Sequence, residues 1–138
     1  MNIDEIFSKG ASYLISEKGY EDYISGKDVT LGRPVGDDTV VWVAPSAEID
    51  EAIIKTNGNP RELETLLGLP ENSLGDTPVR VNIDNIDGLD IRIPDASTPG
   101  ANPNFIPGGS TSGGITERVI YNCPNPDVRT CIHRKNVV

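Results

Sequence analysis

Histidine, tryptophan and methionine each occur once in this 138-residue chain, cysteine occurs twice, and aromatic residues make up only 5%. Two cysteines cannot build a multi-disulfide scaffold, and with one histidine they cannot complete a tetrahedral zinc site. Cys123 and Cys131 lack the CxxC spacing of a redox catalyst, and the sequence leaves open both a short-loop disulfide and a pair of reduced thiols. No stretch approaches the ~18 consecutive apolar residues of a membrane span. The start, Met1-Asn2-Ile3-Asp4-Glu5, lacks the basic beginning and apolar run of a secretory signal. There is no phosphate-binding P-loop, no Ser-His-Asp arrangement, no nucleophile elbow and no recognised metal-ligand spacing. Neither a metal nor a cofactor is expected.

Acid and glycine are plentiful. The net charge is −9, with 14 Gly and 11 Pro marking a loop-rich chain. Residues 1–100 carry −11 and residues 101–138 carry +2. Uniform acidity would repel nucleic acid, whereas an acidic body with a mildly basic tail can still set Arg, Lys and His against a phosphate. The length fits one domain, 1–138, and folding should bury about two-thirds of the unfolded surface.

The first part reads as mainly helical, residues 1–70. Ile3, Ile6 and Phe7 suggest one short helix, and Tyr13, Leu14, Tyr20, Tyr23 and Ile24 further helical turns. Thr39–Val43 is a β-branched run and predicts a buried strand. Ser46 then caps a helix with Ile49, Ile53 and Ile54 on one face. Asn59-Pro60 opens another, with Leu63, Leu66 and Leu67 inward and Gly68 at its end. Residues 71–138 read as mainly β. Val79–Ile83 and Leu89–Ile93 alternate apolar and polar, setting Arg80, Asn82, Asp90 and Arg92 off the core. Ile115–Tyr121 predicts a strand with Ile115, Glu117, Val119 and Tyr121 on one face, and 131–133 a last short one. Helices first and strands afterwards imply an α+β fold, with N-terminal helices packed on a twisted antiparallel β-sheet.

Candidate chemistry gathers around the irregular stretch from Pro94 to Gly114. Pro107-Gly108-Gly109-Ser110-Thr111-Ser112-Gly113-Gly114 offers backbone N–H groups and hydroxyls to an anion. Strand alternation sets Arg92 beside Glu117. A carboxylate there could take the 2′-hydroxyl proton of RNA while the guanidinium holds the phosphorane charge. His133, followed by Arg134 and Lys135, has a tunable proton affinity beside an anion site. The expected catalytic set is Arg92, Thr111, Glu117 and His133. Arg80, Asn102, Ser110, Ser112 and Arg118 are expected to bind substrate.

Several blocks carry a family resemblance: Leu31-Gly32-Arg33-Pro34, Val43-Ala44-Pro45-Ser46, Leu66-Leu67-Gly68-Leu69-Pro70, the arginine strand 79–83, Arg92-Ile93-Pro94, Gly100-Ala101-Asn102, Phe105-Ile106-Pro107-Gly108-Gly109 and Thr111-Ser112-Gly113-Gly114-Ile115-Thr116-Glu117. Over roughly residues 10–121 the chain resembles the C-terminal toxin domains of bacterial polymorphic toxins of the Rhs, LXG and contact-dependent-inhibition type. The resemblance implies a domain secreted as part of a larger effector, acting in the target-cell cytoplasm and neutralised by a cognate immunity protein. Many such domains have the barnase/EndoU/colicin/RelE architecture and cleave RNA, often tRNA, without metal. Arg92, Asn102, Thr111 and Glu117 fall in the matching blocks; His133 lies outside them. The acidic balance departs from the basic character common among ribonuclease toxins.

A metal-independent ribonuclease toxin is therefore the first expectation. The second is a NAD-consuming toxin, an ADP-ribosyltransferase or a glycohydrolase. Arg80 or Arg92, Ser110-Thr111-Ser112 and Glu117 follow an Arg…Ser-Thr-Ser…Glu order similar to such enzymes, although the transferase glutamate normally lies further on. The third is a non-enzymatic acidic immunity or adaptor protein that masks a basic surface.

Overall fold

The computed structural model describes residues 6–26, 30–98, 101–102 and 105–125, and the backbone of 129–131. Its elements run β1 (Ala11–Ile15), α1 (Glu17–Tyr23), β2 (Arg33–Val35), β3 (Asp38–Pro45), α2 (Ser46–Thr56), α3 (Pro60–Leu67), β4 (Val79–Ile83), β5 (Asp90–Arg92), β6 (Arg118–Tyr121) and β7 (Arg129–Cys131). The class is α+β. Six strands form an antiparallel sheet in the order β5-β6-β3-β1-β4-β7, and β2 pairs with β3 beside it. Among the described residues no helix is long and apolar enough to cross a membrane.

The expected order of elements is corrected. Helices do not precede strands, and three strands arise before residue 70. The stretch around Tyr13 and Leu14 is β1, not a helical turn. Its neighbours decide this. β1 hydrogen-bonds to β4 over Ala11–Ile15 and to β3 through Ala11 and Ser12, so its backbone groups are satisfied from two sides. A five-residue helix beginning beside Gly10 could offer far less, because a short helix must first overcome its nucleation cost.

Alternation along the strands separates two apolar clusters. Ala11, Val41, Val43, Val79, Val81, Ile83 and Ile120 face one way, with Phe7, Tyr20 and Leu31 packed beneath them. Leu14 and Ala44 face the other way and meet Ile49, Ala52 and Ile53 of α2, Leu63 of α3, and Leu74. The periodicity that suggested α2 and α3 thus reports their buried stripes correctly. Ile54, grouped with that stripe from the sequence, is instead exposed.

Polar groups fasten the helices. Asn59 caps α3, its side chain accepting from the Arg61 and Glu62 N–H groups. Glu64 is buried, with a side-chain exposure of 3%. Its two oxygens accept the N–H groups of Asn72 at 3.0 Å and Leu74 at 2.9 Å. Arg61 Nε lies 3.1 Å from Oε1, within ion-pair range, although its N–H is not aimed along a hydrogen bond. Removing the carboxylate leaves two backbone donors without their acceptor, at about 1–3 kcal/mol each. Glu64→Ala is expected to destabilise the fold by about 3 kcal/mol, measured as a lower urea midpoint with an unchanged slope.

Candidate functional site

On the face that carries Leu14 and Ala44, β1 and β3 form the floor of a cavity of about 280 Å³. Leu67, Gly68 and Leu69, at the end of α3, make one wall. Ala101, Asn102, Phe105 and Ile106 with Thr111 and Ile115–Glu117 make the other. Apolar side chains dominate the lining. Trp42 and Phe105 meet edge to face, with ring centroids 5.8 Å apart and planes at 84°. The volume lies just below the ~300–1,000 Å³ usual for small-molecule pockets.

Among the described residues Glu117 is the only carboxylate in the lining. It is half-buried, and loss of hydration raises its carboxyl pKa above the ordinary value. Neighbouring contacts hold the backbone that carries it. Glu117 N–H donates to Gly109 O at 2.8 Å, and Thr116 N–H donates to Glu48 Oε1 at 2.8 Å. Thr111 Oγ1 donates to Leu66 O and accepts the Ile115 N–H at 3.2 Å. Gly113 lies so close to the Leu66 backbone that a Cβ would come within 2.3 Å of its carbonyl oxygen. Of the glycines expected to cradle an anion, Gly113 lets the loop pack on the end of α3. This anchoring fixes the approach to β6, which begins at Arg118 rather than Ile115.

The other expected site residues are dispersed. Arg92 does not line the cavity, and among the described residues it forms no ion pair with Glu117. Its Nη2 lies 2.7 Å from Asp90 Oδ2, and its guanidinium stacks 4.1 Å from the centre of the Tyr121 ring. Strand period explains the capture. Asp90 and Arg92 share a face two residues apart, and Tyr121 sits opposite Asp90 on β6. The expected guanidinium–carboxyl pair in one hollow is replaced by a carboxyl group in an apolar cavity.

Arg80 also projects onto this face, but it is drawn into a fastening for α2. It bonds Asp50 Oδ1 at 2.6 Å, Ser46 O at 3.1 Å and Ser12 Oγ at 3.3 Å. Arg118 Nη1 donates to the carbonyls of Gly109 and Glu117, tying the loop to the strand start. Asn102 does line the cavity, and its Nδ2 donates to Gly68 O at 3.2 Å. Thr111 lines it too, with its hydroxyl committed as above. Ser110 bridges to Thr116, and Ser112 is exposed and lines a separate concavity of about 610 Å³ with Arg61, Glu64 and Glu71. His133 lies outside the described residues. The Cys123 thiol is free and buried, and burial pushes its pKa up to about 11, so it is a poor nucleophile at neutral pH.

Trp42, Phe105 and Arg33 line the cavity although none was expected as a site residue. Trp42 stood in a run that read as buried strand, and Phe105 in a stretch with no periodicity. The available signal was scarcity: the chain's single tryptophan and one of its two phenylalanines meet at this cavity. No protein-family model, curated protein or solved structure matches the chain.

Proposed function

We propose that this cavity is the catalytic pocket of a NAD-consuming toxin domain. The observation that carries the reading is a half-buried Glu117 in an aromatic-walled pocket whose expected cation, Arg92, is engaged elsewhere. A lone carboxylate with aromatic faces suits a flat ring that is itself a cation. The nicotinamide of NAD is such a ring.

The proposed chemistry needs no second protein base. The bond between ribose C1′ and the pyridinium nitrogen breaks, and its electron pair leaves with neutral nicotinamide. Positive charge grows on the ribose, where the Glu117 carboxylate opposes it and accepts a hydrogen bond from the sugar hydroxyl. Water then attacks C1′ and releases its proton to Glu117 or solvent, giving a glycohydrolase. A nucleophile on another macromolecule in place of water would give an ADP-ribosyltransferase. The net charge of −9 is no obstacle to a small dinucleotide, whereas it opposes approach of a long polyanion.

Metal-independent cleavage of RNA, with tRNA as the substrate class, is the second reading. Glu117 favours it, because a carboxyl group with raised proton affinity is a better general base toward a 2′-hydroxyl. Delivery from a larger effector and neutralisation by an immunity protein rest on the sequence resemblance in either reading. One assay separates them. The chain is incubated with NAD and, separately, with total tRNA. Release of nicotinamide supports the first reading, and fragments ending in 2′,3′-cyclic phosphate support the second. Neither product, together with harmless expression in bacteria, would leave the acidic immunity or adaptor protein.

A further inference from the structure

Five arginines have described side chains, and four are committed. Arg61 meets Glu64, Arg80 meets Asp50, Arg92 meets Asp90, and Arg118 serves two carbonyls. Arg33 is exposed and lines the cavity, and its guanidinium has no ion pair or hydrogen bond to any described residue. Its place follows from strand register. Arg33 stands opposite Val40 on β3, so it shares the face that two residues later carries Trp42. Glu117 immediately precedes β6, in which Arg118 pairs with Val43 and Val119 with Trp42. One face therefore carries, along its strands, an unpaired guanidinium, an aromatic pair and a carboxylate.

We infer that Arg33 is the anion-binding residue of this cavity and holds a phosphate of a ligand whose ring lies against Trp42. A guanidinium presents planar donors that match two phosphate oxygens, and it keeps its charge at any working pH. Arg33 on β2 and Glu117 ahead of β6 approach β3 from different neighbouring strands, which suits a ligand that is cationic at the ring and anionic at the phosphate. The inference rests on the NAD-consuming reading and narrows it: the substrate is recognised as a phosphorylated nucleotide, not as a nucleoside.

The chain's single tryptophan lines the cavity, so its fluorescence reports occupancy. Wild type, Arg33→Gln and Arg33→Lys are titrated with NAD and with nicotinamide riboside, which lacks phosphate. Wild type should bind NAD on the order of tenfold more tightly than the riboside, as a charge-assisted hydrogen bond requires. Arg33→Gln should lower NAD affinity to that of the riboside and leave riboside binding unchanged. Arg33→Lys should keep part of the preference, and added salt should weaken NAD but not riboside. Arg33→Gln binding NAD like wild type, or losing both ligands equally, overturns the inference. Equal affinity of wild type for both ligands overturns it while leaving the NAD reading intact. Absence of quenching by either ligand in wild type brings down that reading and the inference with it.

Discussion

Glu117→Gln is expected to reduce nicotinamide release from NAD by at least about 10²-fold, the usual effect of removing a group that meets transition-state charge. The same change should make the protein more stable at neutral pH. Burial raises the Glu117 carboxyl pKa in the folded state, so the folded chain holds that proton to higher pH than the unfolded chain does. Stability therefore falls as pH rises through the window above the ordinary carboxyl value, and the loss persists at neutral pH. Glutamine has a similar shape and no charge to desolvate. The gain in melting temperature over wild type should be largest near pH 7 and should vanish at about pH 4, where the unfolded carboxyl is also largely protonated. Loss of activity with gain of stability is the mark of a group kept for chemistry. A variant that loses stability at pH 7 would make Glu117 a structural residue, and one that retains full turnover would remove it from the mechanism.

Gly32→Ala is expected to have the largest effect on folding. Gly32 has φ +97°, and a Cβ built on it would stand 1.9 Å from the Val40 carbonyl oxygen. The left-handed backbone costs alanine about 1–2 kcal/mol, and overpacking against backbone that cannot move adds about 1–3 kcal/mol. A loss of about 4 kcal/mol would lower the melting temperature by roughly 10–20 °C in a chain of this length. The effect should reach the site, because Gly32 fixes the start of β2 against β3 and so sets Arg33 at the cavity. At a temperature where the variant remains folded, NAD affinity should fall while the riboside still binds. A melting temperature within about 2 °C of wild type would mean that β2 is not held this closely.

The two helices after β3 and the β4 and β5 strands were legible in the residues. The Ile49/Ile53 and Leu63 stripes have helical spacing, and Val79–Ile83 alternates without interruption. Asn59 caps α3 as its pattern requires, whereas α2 starts after Pro45 with no side-chain cap, and Ser46, expected as its cap, is its first helical residue and bonds Ser12 instead. β1 was not legible. Ala11-Ser12-Tyr13-Leu14-Ile15 is short, with four of its five residues apolar on both faces, and such a run does not distinguish strand from buried helix by period alone. Only pairing with β4 and β3 decides it, and those partners lie some 30 to 70 residues away.

At the site, the sequence determined which groups exist: a carboxylate after a glycine-rich stretch, a scarce pair of large aromatics, and arginines within strands. Helical periods at α2 and α3 beside strand periods at β4 and β5 also made the α+β class legible, although the helices-first order from which it was argued is not the observed one. The tertiary structure alone decided who meets whom. Asp90, two residues from Arg92 on one strand face, captured the arginine assigned to catalysis, while α2 drew Arg80 into its fastening. Phe105 was brought onto Trp42 across 63 positions of sequence. Contacts of that kind follow from strand register and loop packing, which are properties of the whole chain and not of any window within it.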